Sequence, residues 1–150
     1  MSKIVKKMLV AILTLSLAII PICSVSASAA VPENEIMPLY NNVSTATANL
    51  GINDNGKLTI NYKYTGSSGI TSKAVITTYI EKQTLWLFWS RVDIGTTNDE
   101  WVDTIYDYRY TGSRTFQLPS TGTYRVTVNF KIYGSGGAAD EIEKDIKITY

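Results

Sequence analysis

The stretch GTYRVTVNFKI, Gly122 to Ile132, decides the fold class. Tyr124, Val126, Val128, Phe130 and Ile132 alternate strictly with Arg125, Thr127, Asn129 and Lys131. Successive side chains of an extended chain leave opposite faces, so this period of two predicts a strand with one buried and one wet face. The same period recurs on either side. Ile146, Ile148 and Tyr150 alternate with Asp145, Lys147 and Thr149, and Gly134-Ser135-Gly136-Gly137 before them reads as a hairpin loop. Upstream, Leu58, Ile60, Tyr62 and Tyr64 form one alternating row, and Ala46, Ala48, Leu50 and Ile52 form another. Between these two rows lies Asn53-Asp54-Asn55-Gly56, whose Asn-Gly favours the positive φ of a tight hairpin.

The middle of the chain is less regular. Lys73 to Lys82 and Leu85 to Ile94 carry apolar residues on both parities, which suits strands covered on both faces. Trp101 to Tyr110 and Ser113 to Leu118 supply two more candidates. About eight short strands separated by turn signals describe an all-β, antiparallel sandwich. A closed barrel would give much the same pattern.

The segment QLPSTGTYRVTV, Gln117 to Val128, favours the sandwich. Leu118, Gly122 and Tyr124, followed by Val126 and Val128, resemble the tyrosine corner of immunoglobulin and fibronectin type III domains. That resemblance implies an immunoglobulin-like β-sandwich of seven or eight strands, in which the Tyr124 hydroxyl bonds back to the preceding turn. It places Val126 where an antibody domain has its second cysteine, and Trp86 where such a domain has its core tryptophan. Pro119 sits one place from the usual proline of fibronectin modules. The segment also spells L-P-x-T-G, the pentapeptide that sortases cut. A sortase substrate needs a membrane-spanning apolar run after the motif, and no run of roughly 18 apolar residues follows Gly122. The pentapeptide is therefore read as a coincidence of strand and turn.

Lys3, Lys6 and Lys7, an apolar run from Met8 to Ile22 and the small residues Ser24 to Ala30 are the three parts of a secretory signal peptide. Cleavage is expected after Ala29 or Ala30. The Pro21-Ile22 pair before Cys23 argues against a lipoprotein. The expected organisation is a signal peptide over residues 1–29, a leader over 30–42 and one domain over 43–150. Cutting after Ala29 leaves 150 − 29 = 121 residues with 14 − 3 = 11 basic against 13 acidic side chains. A balance of −2 argues against nucleic acid or an anionic surface as the target of overall charge. Cys23 leaves with the signal, so the mature domain is disulfide-free and rests on an apolar core. No membrane span is expected after cleavage.

More diffusely, SKAVITTYIEK, EWVDT, GTYRVTV and IYGSGG are similar to stretches of small exported proteins of Firmicutes. That resemblance implies secretion and the extent of the domain, and it brings no catalytic residues.

The sequence has no histidine, and its one cysteine is Cys23, so Ser-His-Asp, Cys-His and imidazole or thiolate zinc sites are absent. What remains for an enzyme is a Ser-Lys arrangement or a carboxylate pair. Asp99, Glu100, Asp103 and Asp107 are the candidate carboxylates, and they read better as a solvated polar face. Neither they nor Asp54 show the ligand spacing of a calcium loop. Gly134 to Gly137 is not a phosphate cradle, because no lysine or helix start follows it. No cofactor or metal site is expected.

One feature stands above this background. Trp86, Phe88, Trp89, Trp101, Tyr106, Tyr108 and Tyr110 crowd into a short segment. Tyr106, Tyr108 and Tyr110 share a parity, so on a regular strand they would project from one face. With Trp89 and Trp101 they form the candidate binding face, able to stack on sugar rings or anchor a protein. The alternative is that these aromatics are packing. The sequence thus points to a secreted binding module whose partner is a protein or glycan. A carbohydrate-binding module is the nearest variant, and a carboxylate hydrolase or a secreted toxin or inhibitor is the more distant one.

Overall fold

Alternation builds most of the molecule directly. The computed structural model describes residues 40–85 and 87–150; the expected signal peptide, nearly all of the leader and Trp86 lie outside them. The strands are β1 (Val43–Ile52), β2 (Lys57–Gly66), β3 (Thr71–Thr84), β4 (Phe88–Arg91), β5 (Glu100–Ile105), β6 (Arg109–Gln117), β7 (Thr123–Gly134) and β8 (Asp140–Thr149). Every pairing among them is antiparallel. One sheet has the order β1-β2-β6; the other has the order β4-β3-β7-β8, with β5 also on β3. Among the described residues no strand pairs from one sheet to the other, so the fold is a sandwich and not a closed barrel.

The inward rows make the core. Leu58, Ile60, Tyr62 and Tyr64 of β2 cluster with Ala74, Ile76 and Ile80 of β3 and with Tyr124, Val126, Val128, Phe130 and Ile132 of β7. The Asn-Gly turn forms as its chemistry requires. Gly56 has φ 74°, and the Asn53 side-chain oxygen accepts the N–H groups of Asn55 and Lys57 at 3.1 and 2.9 Å.

β3 is 14 residues long, which lets one of its edges carry two short strands end to end. β4 pairs with Glu81 to Thr84 and β5 pairs with Ala74 to Tyr79. Between them the Val92 N–H still reaches the Ile80 carbonyl at 2.9 Å. The chain then leaves the edge through Gly95, at φ 80°, and rejoins it at Glu100.

Two expected strands are redrawn. The strand expected over 85–94 contracts to Phe88–Arg91, because Leu85 and Leu87 lie in the β3–β4 turn and, past the buried Val92, the chain leaves the ladder for the loop that leads to β5. The outer side chains of β3 are also only half-buried, so the mixed parity of this region does not reflect a second covering layer. The strand expected over 101–110 breaks in the middle: β5 ends at Ile105 in one sheet and β6 begins at Arg109 in the other. A chain that changes sheets cannot remain in one ladder. The crossing is held against the end of β2, where the Tyr64 hydroxyl donates to the Asp107 carbonyl and the Gly66 N–H to the Tyr108 carbonyl, both at 2.6 Å.

The boundary between leader and domain also moves. Asn42 is fully buried. The Asp140 carboxylate accepts the N–H groups of Asn41, Asn42 and Val43 at 3.0, 2.7 and 3.0 Å. The Asn42 amide donates to the Ala138 carbonyl at 2.7 Å and accepts the Gly136 N–H at 3.1 Å, while Thr71 donates to the Asn42 carbonyl. Asn41 and Asn42 are thus part of the domain, clamped by the β7–β8 end. Nothing in the local sequence marks Asp140 as the partner of a segment almost a hundred residues earlier.

Candidate functional site

The break between β5 and β6 scatters the expected aromatic face. Tyr106 lies in the crossing and is 79% exposed. Tyr108 is half-buried beside the Arg109 guanidinium, which sits 5.3 Å from its ring centre. Tyr110 turns toward the core, with its ring centre 6.4 Å from that of Tyr62. Trp101 also packs against the core, edge-on to Phe116 at 6.1 Å. The exposed Tyr106 thus stands apart from the half-buried Tyr108 and Tyr110, Trp101 packs against the core, and the expected exposed row does not form because the strand breaks between Ile105 and Arg109. Trp86, expected in the core, lies outside the described residues.

Of the candidate carboxylates, Asp103 and Asp107 have structural partners. Asp103 points inward from β5 and accepts the Tyr62 hydroxyl at 2.5 Å and the Arg114 guanidinium. This corrects its reading as part of a solvated face, since Asp103 bridges the two sheets at their β5 and β6 edges. Burial, followed by the hydrogen bond to Asp103 and that carboxylate's charge, pushes the Tyr62 hydroxyl far above its ordinary value. For Arg114, burial acts to lower the value, but bonding to Tyr62 and the charge of Asp103 outweigh it and hold the guanidinium charged. Burial raises Tyr64 to about 12, with Asp107 and Tyr110 adding to the shift. The Asp107 side chain accepts the Arg109 N–H at 3.2 Å. Among the described residues, no three histidine, cysteine, aspartate or glutamate side chains gather as a metal would need.

Leu118, Gly122 and Tyr124 meet at the β6–β7 turn. Tyr124 is fully buried, and its hydroxyl donates to the Ser120 carbonyl at 2.6 Å. Gly122 has φ 147°, a conformation that L side chains rarely adopt. The Gly122 and Tyr150 backbones bond reciprocally at 2.9 and 3.0 Å. The turn spelled by the L-P-x-T-G letters is thus tied to the end of β8.

The most exposed apolar side chains lie elsewhere, on the β3–β4 hairpin. Leu85, Leu87 and Phe88 are 83%, 80% and 63% exposed. β3 pairs with β7 only as far as Lys82↔Tyr124, whereas its pairing with β4 continues through Gln83↔Trp89 to Thr84↔Phe88. β7 and β8 run on alongside, through Thr123↔Thr149 and the reciprocal Gly122–Tyr150 bonds, so these exposed residues lie at the end of the second sheet, on and beside the β3–β4 turn. Leu85 occupies the left-handed region, with φ 46°, where glycine or asparagine would be the easier choice.

At the base of this hairpin the outer face of the sheet carries cations stacked on aromatic rings. The Trp89 ring has Arg125 at 4.7 Å and Lys147 at 5.6 Å, and the Tyr79 ring has Arg91 at 3.3 Å. Glu81 lies among them, accepting both Nε and a terminal nitrogen of Arg125 at 2.8 and 2.6 Å. That bond, against a smaller opposing effect of burial, raises the Arg125 pKa. On the other face of β3, Lys82 donates to the Ser120 hydroxyl at 2.5 Å. Of the expected binding residues, only Trp89 belongs to this region. The signal in the sequence was the uninterrupted apolar run from Leu85 to Trp89, which two-sided burial explained equally well.

Comparison with known proteins adds little to this geometry. No protein-family description matches the chain, and no curated protein matches it. Among solved structures it is similar to a Bordetella pertussis protein assigned as ApaA, at a TM-score of 0.34 and 14% identity, over 73% of this chain and 95% of that one. A likeness at that level bears on neither fold family nor activity.

Proposed function

We propose that this chain is an exported, non-catalytic interaction domain of immunoglobulin type, which engages its partner through the end of the β3–β4 hairpin. The observation that carries the reading is the exposure of Leu85, Leu87 and Phe88 together at the end of the β3–β4 hairpin. Contiguous apolar surface on a folded domain is costly to leave in water and marks contact sites. The immunoglobulin assignment is supported by the partition of strands. The first, second and sixth strands form one sheet, and the third, seventh and eighth dominate the other, as strands A, B, E and C, F, G do in such domains. The bond from Tyr124 to the turn backbone supports it further. Export is supported by the basic, apolar and small-residue succession of the first 29 residues. The absence of histidine and the structural engagement of Asp103 leave little equipment for catalysis.

The test is retention on isolated cell envelopes containing both wall and membrane. Wild-type protein is expected to sediment with them, and Leu87→Asp is expected to remain in the supernatant. Equal retention of the two proteins would remove the hairpin from the contact surface.

A further inference from the structure

We infer that β1 is a pairing edge, along which a second copy of this chain docks its own β1 antiparallel across a two-fold axis to give one six-stranded sheet. This surface is separate from the hairpin end, since β1 begins beside β8 and the hairpin stands on the opposite edge of the second sheet.

The open backbone groups of β1 follow from its turn. There the Asn53 N–H donates to the Lys57 carbonyl at 3.3 Å, which makes Asn53 a bonded position of the β1–β2 ladder. Bonded and open positions alternate along an antiparallel pair. Gly51, Asn49 and Thr47 therefore bond β2, while Leu50, Ala48 and Ala46 turn their N–H and carbonyl groups away from it. The Leu118 N–H, donating to the Gly56 carbonyl at 3.0 Å, fixes the same parity from the β2–β6 side. Among the described residues β1 pairs with β2 alone, and the Asp140 carboxylate caps its edge only at Val43. Such a row of unmade bonds is a template for another strand.

The other edges carry the features that keep sheets from pairing, and β1 carries none of them. β8 has six charged residues in ten: Asp140, Glu141, Glu143, Lys144, Asp145 and Lys147. β4 and β5 divide their edge into pieces of four and six residues. β6 turns the charge of Arg114 inward, to Asp103. By contrast β1 is ten residues long, without charge or proline, and its pairing is regular from Thr45 to Ile52.

A second copy is the occupant that fits. Two-fold pairing sets a strand against itself, so charges of one sign along it would meet their like; β1 has none to oppose. Reversal about Ala48 keeps the two faces in phase. Ala46 meets Leu50 on the inner face, and Thr47 meets Asn49 on the outer one. The inner row of β1, Ala46, Ala48, Leu50 and Ile52, is only partly buried, whereas Leu58, Ile60, Tyr62 and Tyr64 of β2 are at most 2% exposed. A paired strand covers the first row as β1 covers the second.

Sedimentation equilibrium of the wild-type mature chain is expected to show a monomer–dimer equilibrium, with the dimer predominant at about 100 μM. Thr47→Glu/Asn49→Glu gathers like charges from both copies on the outer face of the pair, and is expected to weaken the dimer at least about tenfold. Thr47→Lys/Asn49→Lys is expected to do the same. An equimolar mixture of these two variants is expected to restore the dimer, because each β1 then meets its opposite charge. Ala48→Pro, which removes an N–H that β2 does not use, is expected to fold and to remain monomeric. Thermal melts establish that each variant is folded. A wild type that stays monomeric at that concentration overturns the proposal. So does a dimer that the folded charge or proline variants leave intact, or a mixture of the charge variants that stays monomeric.

Discussion

Tyr124 and Thr78 illustrate opposite uses of a hydroxyl in the same core. Tyr124 is fully buried, and its hydroxyl finds the Ser120 carbonyl at 2.6 Å. Tyr124→Phe leaves the ring packing intact and removes that bond, so it is expected to cost about 1 kcal/mol in urea melts, somewhat more if the orphaned carbonyl stays dry. Thr78 is 1% exposed, and its hydroxyl has no partner among the described residues. A buried hydroxyl without a partner is a standing cost, and valine has nearly the same shape. Thr78→Val is therefore expected to raise stability by about 1 kcal/mol in the same melts. A destabilising result would show that the hydroxyl has a partner in solution. From the sequence, Tyr124 was legible because a tyrosine before alternating valines carries a known geometry. Thr78 was not, since its burial depends on which parity of β3 faces the other sheet.

At the scale of elements, the legible strands were those whose environment is simple. β1, β2, β7 and β8 each bury one face more than the other, and alternation alone locates them. β4 and β5 were poorly legible because they share one edge of β3, and β5 ends where the chain must pass to the other sheet. Residue spacing cannot reveal such a change of sheet, and the supposed tyrosine row depended on its absence. The outer face of β7 shows a related limit. Arg125 stands at an outward position, where a surface arginine is ordinarily worth less than roughly 0.5 kcal/mol. Here it is bonded twice to Glu81 and lies over the Trp89 ring. Its aliphatic stem and planar head therefore cover apolar surface as well as a charge. Arg125→Ala is expected to cost about 1 kcal/mol, above the ordinary surface value though still limited by solvent screening. It is also expected to shift tryptophan emission to the red as Trp89 becomes wetter. An unchanged spectrum would separate Arg125 from Trp89 in solution.

For the whole molecule, the two sheets are bridged by phenols as well as by hydrocarbon, and this makes the sandwich vulnerable to alkali. Tyr62 bonds Asp103 across the sheets, and Tyr64 holds the β5–β6 crossing through the Asp107 carbonyl. Burial raises both hydroxyls, Tyr64 to about 12 and Tyr62 further still. An unfolded tyrosine ionises near pH 10. Below that value both states keep their protons, and the contribution of these groups to stability is fully present. Above it the unfolded chain releases protons that the native state retains, so ionisation draws the equilibrium toward unfolding. Stability is therefore expected to fall steadily from about pH 10 to pH 12, with Tyr62 extending the fall beyond. Phenolate absorbance from Tyr62 and Tyr64 is expected to appear only as the fold is lost. Tyr64→Phe lacks one of the two ionising groups, so its urea midpoint should start lower at neutral pH and decline less steeply across the alkaline range. Parallel decline of wild type and variant would mean that Tyr64 ionises freely in the native state, and that the crossing is held by packing and the Gly66–Tyr108 backbone bond instead.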